Sequence, residues 1–85
     1  MMRVTVLYFA GARDLAGRSE ESLVLPEEVR TVGALATWIE QRVPALAGRG
    51  ASLRWARNEA FADMHDALEE GDVIAIIPPV AGGRA

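Results

Sequence analysis

With 85 residues, 51% of them hydrophobic and 25% charged, the chain has the size and composition of one globular domain rather than of a disordered segment. The absence of cysteine excludes disulfides, thiolate metal sites and thiol nucleophiles, and it fits a reducing, cytoplasmic setting. The net charge is −3 and the basic residues, all arginines, are scattered, which argues against nucleic acid or an anionic membrane as a partner.

The first predicted element is a strand from Arg3 to Phe9, because this stretch is rich in β-branched and aromatic residues. Successive side chains of a strand point to opposite faces of a sheet. The two faces of this strand carry Val4, Val6 and Tyr8, and Thr5, Leu7 and Phe9. Both sets are mostly apolar, so we expect a central strand of the sheet.

A second strand and one long helix follow. Residues 10–17 predict a short helical turn or loop, and Glu20 to Leu25 predict the second strand. Thr31 is the predicted N-cap of the helix, which ends at Pro44. Apolar residues at helical spacing form one stripe along it: Val32, Leu35, Ala36, Ile39 and Val43. We expect Trp38 at the edge of the core beside this stripe.

The second half of the chain predicts shorter elements. A third strand runs from Ser52 to Arg57, and Asn58-Glu59 forms a turn because asparagine tolerates the left-handed backbone conformation. A short fourth strand covers residues 60–62. Residues 64–70 predict an irregular connection of at most one helical turn, which Leu68 anchors to the core.

The fifth predicted strand, Val73 to Ile77, follows a turn at Gly71-Asp72 and is apolar on both faces. One long helix can cover one face of a small sheet, so the predicted fold class is α+β, with a mixed sheet of four to five strands. The first and last strands are the most apolar, and we expect them to lie parallel to each other in the centre of the sheet.

The sheet face opposite the helix is predicted to be apolar and uncovered. Leu7 and Phe9 of the first strand would lie on it with Ala75 and Ile77 of the last. An uncovered apolar face is typical of a protein interface. The alternative is that loop residues such as Phe61 fold over this face.

Residues 78–85 form a predicted extended tail. Pro78 and Pro79 have a fixed φ and no N–H, so they end the strand pairing and stiffen the chain. Gly82 and Gly83 lack a Cβ and can enter a narrow channel. Arg84 and Ala85 follow the two glycines.

The side chains of this sequence do not predict an active site. His65, between Asp63 and Asp66, has no second histidine or cysteine nearby and makes a poor transition-metal site. Neither Ser52 nor Tyr8 has a base that would make it a nucleophile. No phosphate-binding loop and no pair of carboxylates across a cleft is indicated.

Three segments of the sequence resemble the MoaD family of ubiquitin-like sulfur carriers. They are residues 7–15 (LYFAGARDL), Asn58-Glu59, and residues 71–83 (GDVIAIIPPVAGG). The resemblance spans nearly the whole chain, in order. It implies a β-grasp domain over residues 1–77 and an extended tail over residues 78–85 that carries Gly82-Gly83.

The resemblance also implies a mechanism. In the family, an adenylating partner (MoeB-like) uses ATP to activate the terminal glycine as an acyl-adenylate, and sulfur then replaces AMP to give a thiocarboxylate. The tail enters the large subunit of molybdopterin synthase (MoaE-like), where the sulfur enters the dithiolene of molybdopterin. No cofactor is bound by the carrier itself.

Residue by residue, the resemblance assigns the sulfur to Gly83 and the clearance beside it to Gly82. Positions that meet the partner are Phe9, Arg13, Phe61, Ile77, Pro78, Pro79, Val80 and Ala81. Members of the family usually end at the second glycine, so we expect a protease to remove Arg84 and Ala85. The alternatives are a sulfur carrier for another pathway (cysteine, thiamine, tRNA thiolation or siderophore), a ubiquitin-like protein modifier, and an interaction module whose tail has no chemical role.

Overall fold

The computed structural model describes residues 2–48 and 53–78. Within them the chain forms five strands, two α-helices and one 3₁₀ helix. In chain order these are β1 (Met2–Tyr8), α1 (Ala10–Ala16), β2 (Glu20–Leu25), α2 (Val32–Arg42), the 3₁₀ helix (Pro44–Leu46), β3 (Arg54–Arg57), β4 (Ala60–Phe61) and β5 (Val73–Ile77).

The strands form one mixed sheet in the order β2-β1-β5-β3-β4. The neighbours β1 and β5 run parallel, with Leu7 opposite Ala75 and Tyr8 opposite Ile76, whereas the other pairs are antiparallel. The predicted α+β class and the parallel pairing of the first and last strands are confirmed. The physical reason is that a strand with apolar residues on both faces is most stable where neighbours cover both of its edges.

The hydrophobic core lies between α2 and one face of the sheet. The α2 stripe contributes Val32, Leu35 and Ile39, which are at most 1% exposed. They pack against buried side chains from the strands: Val4, Val6, Tyr8, Leu23, Leu25, Trp55, Ile74 and Ile76. Trp38 is partly buried against this cluster, as predicted, and the guanidinium of Arg42 lies 5.1 Å from its ring centroid.

The first turn of α2 is held by residues 63–68. The Oγ1 of Thr31 accepts a hydrogen bond from the Ala34 N–H at 3.1 Å, which confirms the predicted N-cap. The N–H of Gly33 donates to the Met64 carbonyl at 2.9 Å. A Cβ on Gly33 would lie 3.1 Å from that same oxygen, closer than most real Cβ contacts, so a larger residue at this position would push against the loop. The connection contains turns and a single bridge between Thr31 and Ala67 rather than a helix, and it is anchored by the buried Leu68.

Several elements differ from their predictions. The strand β1 runs from Met2 to Tyr8, so Phe9 lies outside it as the N-cap of α1, and β4 ends at Phe61 rather than at residue 62. Residues Ala10–Ala16 form the seven-residue helix α1 rather than a short turn or loop, and Gly17 caps its C-terminus with a φ of 79°. The fully buried Ala12 explains the difference, because packing against the core stabilises a helix that is too short to be stable alone. The strand β3 begins at Arg54, and Ser52 lies outside the described residues.

Candidate docking surface and tail exit

The sheet face opposite α2 carries an open apolar groove of about 630 Å³. The strand register places Leu7, Ala75, Ala56 and Phe61 in one row across β1, β5, β3 and β4. The complete lining is Leu7, Phe9, Ala56, Asn58, Glu59, Phe61, Val73, Ala75 and Ile77. The face is therefore apolar, as the strand pattern predicted, and no residue of 2–48 or 53–78 covers it.

Phe61 does not fold over the groove from a loop, so that alternative is wrong. It belongs to β4, opposite Ala56, and is 70% exposed. A phenylalanine this exposed on an apolar face costs hydration free energy that only a covering partner would recover. Phe9, at the other side of the groove, is 46% exposed.

The turn at Asn58-Glu59 fixes the position of Phe61. Both residues have a positive φ, 52° and 74°, which is the conformation of a tight two-residue hairpin turn. The Asn58 side-chain oxygen accepts from the Val73 N–H at 2.9 Å, and the Asn58 N–H donates to the Val73 carbonyl at 2.8 Å. These bonds connect the β3–β4 hairpin to β5, so the two sides of the groove are held together.

A buried carboxylate, Asp72, reinforces this connection. Its oxygens accept from Arg57 at 2.6 Å, from the Asn58 side chain at 3.0 Å and from the Glu69 N–H at 2.8 Å. Burial raises the pKa of the Asp72 carboxyl, but these hydrogen bonds lower it by more, so the pKa lies below its ordinary value. The sequence indicated only a turn at Asp72, because its two side-chain partners, Arg57 and Asn58, are 15 and 14 residues away along the chain.

The strand β5 ends, and the tail begins, at one end of the groove. The strand β5 ends at Ile77, which lies opposite Arg54 of β3, and Pro78 after it is half-buried. The Phe9 N–H donates to the Ile76 carbonyl at 3.1 Å, so Phe9 lies at this same end. The other predicted tail residues, Pro79, Val80, Ala81, Gly82 and Gly83, lie outside the described residues.

Arg13 is placed differently from the other predicted docking residues. It is exposed on α1 and lines a separate depression of about 250 Å³, which shares Leu7 and Phe9 with the groove. The structure thus brings Phe9, Phe61 and Ile77 to one groove and places Arg13 beside it. The roles of these residues in partner binding stay predictions.

Arg54 is a groove-side residue that the sequence patterns did not single out. Its guanidinium carbon lies 5.5 Å from the centroid of the Phe61 ring, which is the geometry of a cation–π contact. The two residues are brought together by the register of β3 and β4. An arginine and a phenylalanine seven positions apart give no such signal in the sequence.

Tyr8 and Glu21, which lie away from the groove, are bound to each other, and Glu21 also binds two arginines. The buried Tyr8 hydroxyl donates to Glu21 at 2.9 Å, and Arg42 and Arg18 bind the other oxygen of the same carboxylate. Burial, and then the hydrogen bond to Glu21, raises the pKa of the Tyr8 phenol, so the phenol stays protonated and is a poor nucleophile. Among residues 2–48 and 53–78, no group of three His, Cys, Asp or Glu side chains could hold a metal ion.

Comparison with known proteins identifies the family of this fold. The model of the ThiS family matches residues 6–83, which include the end of β1, the strands β2 to β5, the residues that line the groove and the glycine pair. The chain belongs to the ThiS family. Its sheet and helices form the ubiquitin-like β-grasp, as the sequence predicted. In the described part of this ThiS-family chain, none of the helices has both the length and the apolar character that a membrane span requires.

Two curated relatives cover this ThiS-family chain almost completely. The molybdopterin synthase sulfur carrier subunit of Homo sapiens is 35% identical over 88 residues, which covers 98% of this chain and 97% of the relative. The protein of the same name from Chlamydomonas reinhardtii is 38% identical over 84 residues, covering 96% and 100%. The resemblance to the MoaD family is thereby confirmed.

Three solved structures have the same fold. Molybdopterin converting factor subunit 1 from Pyrococcus furiosus is 32% identical with a TM-score of 0.83, covering 94% of this chain and 100% of its own. Small archaeal modifier protein 1 from Methanosarcina acetivorans is 26% identical with a TM-score of 0.74, covering 98% of both chains. A complex of subunits 1 and 2 of molybdopterin-converting factor from Helicobacter pylori contains a chain that is 25% identical with a TM-score of 0.69, covering 96% and 100%.

Proposed function

We propose that this chain is the sulfur carrier subunit of a molybdopterin synthase and acts in the cytoplasm. The observation that carries the proposal is the apolar groove of about 630 Å³ that ends where the tail with Gly82-Gly83 leaves β5. A groove at the base of a narrow tail can bind a partner and so position the tail in it, without any side chain of the groove taking part in the reaction. The curated relatives named above, similar over nearly their full length, support the choice of pathway.

The reacting group in this proposal is the carboxylate of Gly83. An adenylating partner converts it to an acyl-adenylate with ATP and releases pyrophosphate. A donor of sulfide-level sulfur then displaces AMP from the acyl carbon and leaves a thiocarboxylate. The large subunit receives the tail and transfers the sulfur to the dithiolene of molybdopterin. The contribution of this chain is positioning, since a reactive group held in the right geometry gains a large effective concentration. The chain needs no bound cofactor for this role.

The partner surface in the proposal is the groove together with its rim. Phe9, Phe61 and Ile77 bind the large subunit through apolar contact, and Arg13 binds it beside the groove. Pro78 and Pro79 direct the tail toward the partner's pocket. Val80 and Ala81, the next two residues of the tail, contact the partner on the way to that pocket. The existence of a two-subunit complex of similar proteins from Helicobacter pylori supports a large-subunit partner.

Removal of Arg84 and Ala85 precedes activation in this proposal. A carboxylate on Ala85 would place the activated carbon two residues beyond the glycine pair, where a side chain would obstruct a narrow channel. A processing protease that cleaves after Gly83 solves this problem. The protease activity is tested by measuring the intact mass of the full chain before and after incubation in lysate of the source organism. The mass should fall by that of Arg-Ala.

The proposed function is tested by reconstitution. The chain ending at Gly83 is converted to its thiocarboxylate and mixed with the purified large subunit from the same genome and the sulfur-free pterin precursor. We expect molybdopterin to form in proportion to the carrier added. The matched control ends at Gly82, retains the whole groove, and should bind the large subunit without supporting the reaction. A large subunit that does not bind the wild-type chain would refute the proposal.

A second candidate function is a ubiquitin-like protein modifier. The similarity to small archaeal modifier protein 1 over 98% of this chain favours it. Conjugation to target lysines would give a ladder of higher-mass species on an immunoblot of the source cells, lost when Gly83 is deleted. Molybdopterin synthesis in the reconstituted system without such a ladder would favour the carrier over the modifier.

A further inference from the structure

One end of the groove carries a positive charge next to the tail exit. Arg54 lies directly opposite Ile77, the last residue of β5, and is exposed on the same face as Ala56 and Phe61. Glu59 lines the groove at the other end of β3, in the hairpin turn. The residues between them span roughly 13–16 Å at the rise of a strand. Arg54 does not line the groove but borders it, opposite Ile77 and over the Phe61 ring. The sheet face is therefore positive beside the tail exit and negative at the turn.

The guanidinium of Arg54 is held by an aromatic ring rather than by a carboxylate. In residues 2–48 and 53–78, the arginines that bind carboxylates are Arg18, Arg42 and Arg57. Arg54 instead lies over Phe61 at 5.5 Å. A guanidinium packed on a ring keeps its N–H donors in its own plane, where they can bind a carboxylate with two parallel hydrogen bonds.

A partner that covers the groove must cover this cation. Arg54 lies beside Ile77 and in contact with Phe61, so a surface that contacts both apolar residues removes Arg54 from water. Burial of a charge without a counter-charge is strongly unfavourable, whereas a carboxylate that meets the guanidinium offsets that cost. An apolar partner surface without an acid at this point would therefore be rejected.

We propose that Arg54 determines partner specificity by requiring a carboxylate on the docked protein beside the tail exit. The occupant of the groove is thus a protein surface with an apolar centre and an Asp or Glu that meets Arg54. Together with Glu59 at the far end, this charge sets the direction in which the partner docks, so that its pocket faces the tail. The inference rests on the proposed function, because its test uses the large subunit as the probe.

The test compares charge reversals at two positions on one sheet face. Arg54→Glu, Arg54→Met and the control Arg3→Glu are made in the chain ending at Gly83. Arg3 is exposed and shares its face with Leu7 on β1, but it lies five residues from Tyr8, the end of β1 that adjoins the tail exit. Affinity for the purified large subunit from the same genome is measured by titration calorimetry, and circular dichroism verifies that each variant is folded.

We expect Arg54→Met to raise Kd by about 30-fold or more, as loss of one partner of a buried charge pair does, and Arg54→Glu to raise it further because two like charges then meet. Arg3→Glu should change Kd by less than about 3-fold, as charges at a rim do. Raising the salt concentration should weaken binding of the wild type more than binding of Arg54→Met. Reversal of one acidic residue of the large subunit to arginine should restore the affinity of Arg54→Glu.

Two results would overturn the inference, and they are distinguishable. If the wild type binds tightly and Arg54→Glu weakens binding no more than Arg3→Glu, or no acidic reversal restores affinity, the carboxylate contact is wrong and the proposed function stands. If the wild type itself does not bind the large subunit, the proposed function and the inference both fail.

Discussion

Replacement of Phe61 by alanine tests the groove most sharply. A phenylalanine side chain buries about 150–250 Å² when it is fully covered. Because Phe61 is 70% exposed, a partner can remove roughly 100–175 Å² from water, worth about 2.5–4.5 kcal/mol at about 25 cal/mol per Å². Alanine keeps part of this contact, so we expect a loss of about 2–3 kcal/mol, or roughly 30- to 150-fold in Kd for the large subunit.

The assay for Phe61→Ala is titration calorimetry with a matched apolar control. Val24 is 47% exposed on the edge strand β2, opposite Arg3, and does not line the groove. Val24→Ala should leave Kd within about 2-fold of the wild type, because contacts outside an interface contribute little. Both substitutions should change the free energy of unfolding by less than about 1 kcal/mol, since the side chains are exposed. Equal effects of the two substitutions on Kd would refute the assignment of the groove as the docking surface.

Two further predictions concern the frame that supports the groove. Gly33→Ala should be less stable than Gly11→Ala by about 1 kcal/mol, measured by urea unfolding. Both substitutions gain helix propensity. A Cβ at position 33 would lie 3.1 Å from the Met64 carbonyl oxygen, whereas a Cβ at position 11 would have no neighbour within 4 Å. Equal stabilities would contradict this. The folded-state pKa of Asp72 lies below its unfolded value of about 3.9. The ionised Asp72 carboxylate therefore contributes its full stabilisation at a pH above about 3.9, and this stabilisation is lost as the pH falls through the folded-state pKa. Asp72→Asn should therefore flatten the loss of stability in acid, measured as urea midpoints between about pH 5 and pH 2; an unchanged slope would show that Asp72 is not the group responsible.

Patterns with a local physical cause were predicted correctly from the sequence. Apolar residues on both faces of β1 and β5 indicated two central strands, and the structure has them adjacent and parallel. The threonine before the apolar stripe of α2 was identified as its N-cap, and the turn at Asn58-Glu59 has the positive φ values that asparagine favours. These features depend on residues that are close in sequence or on a strict period of two.

Features that depend on register or on tertiary packing were not predicted from the sequence. The helix α1 depends on burial of Ala12, and none of its side chains forms an N-terminal cap. The partners of Asp72 and the contact of Arg54 with Phe61 follow from the pairing of β3 with its neighbours. A shift of one residue in that pairing would move each of these side chains to the other face of the sheet. Sequence patterns indicated the faces, while the cross-strand partners required the structure.

The end of β5 lies at the domain boundary that the sequence predicted, between residues 77 and 78. The strand β5 ends at Ile77 and Pro78 follows it without pairing, which agrees with a proline that cannot donate to a sheet ladder. The division into residues 1–77 and 78–85 stays a prediction, because Pro79 to Ala85 lie outside the described residues. The proposed function requires that this segment ends at Gly83 and carries sulfur there.

The intact mass of the chain isolated from the source organism tests that claim directly. We predict two species that both end at Gly83, one as the free acid and one heavier by the exchange of a carboxylate oxygen for sulfur. The heavier species should disappear when the adenylating enzyme is deleted. A chain that supports molybdopterin synthesis in the cell while retaining Arg84 and Ala85, or without ever carrying sulfur on Gly83, would contradict the account.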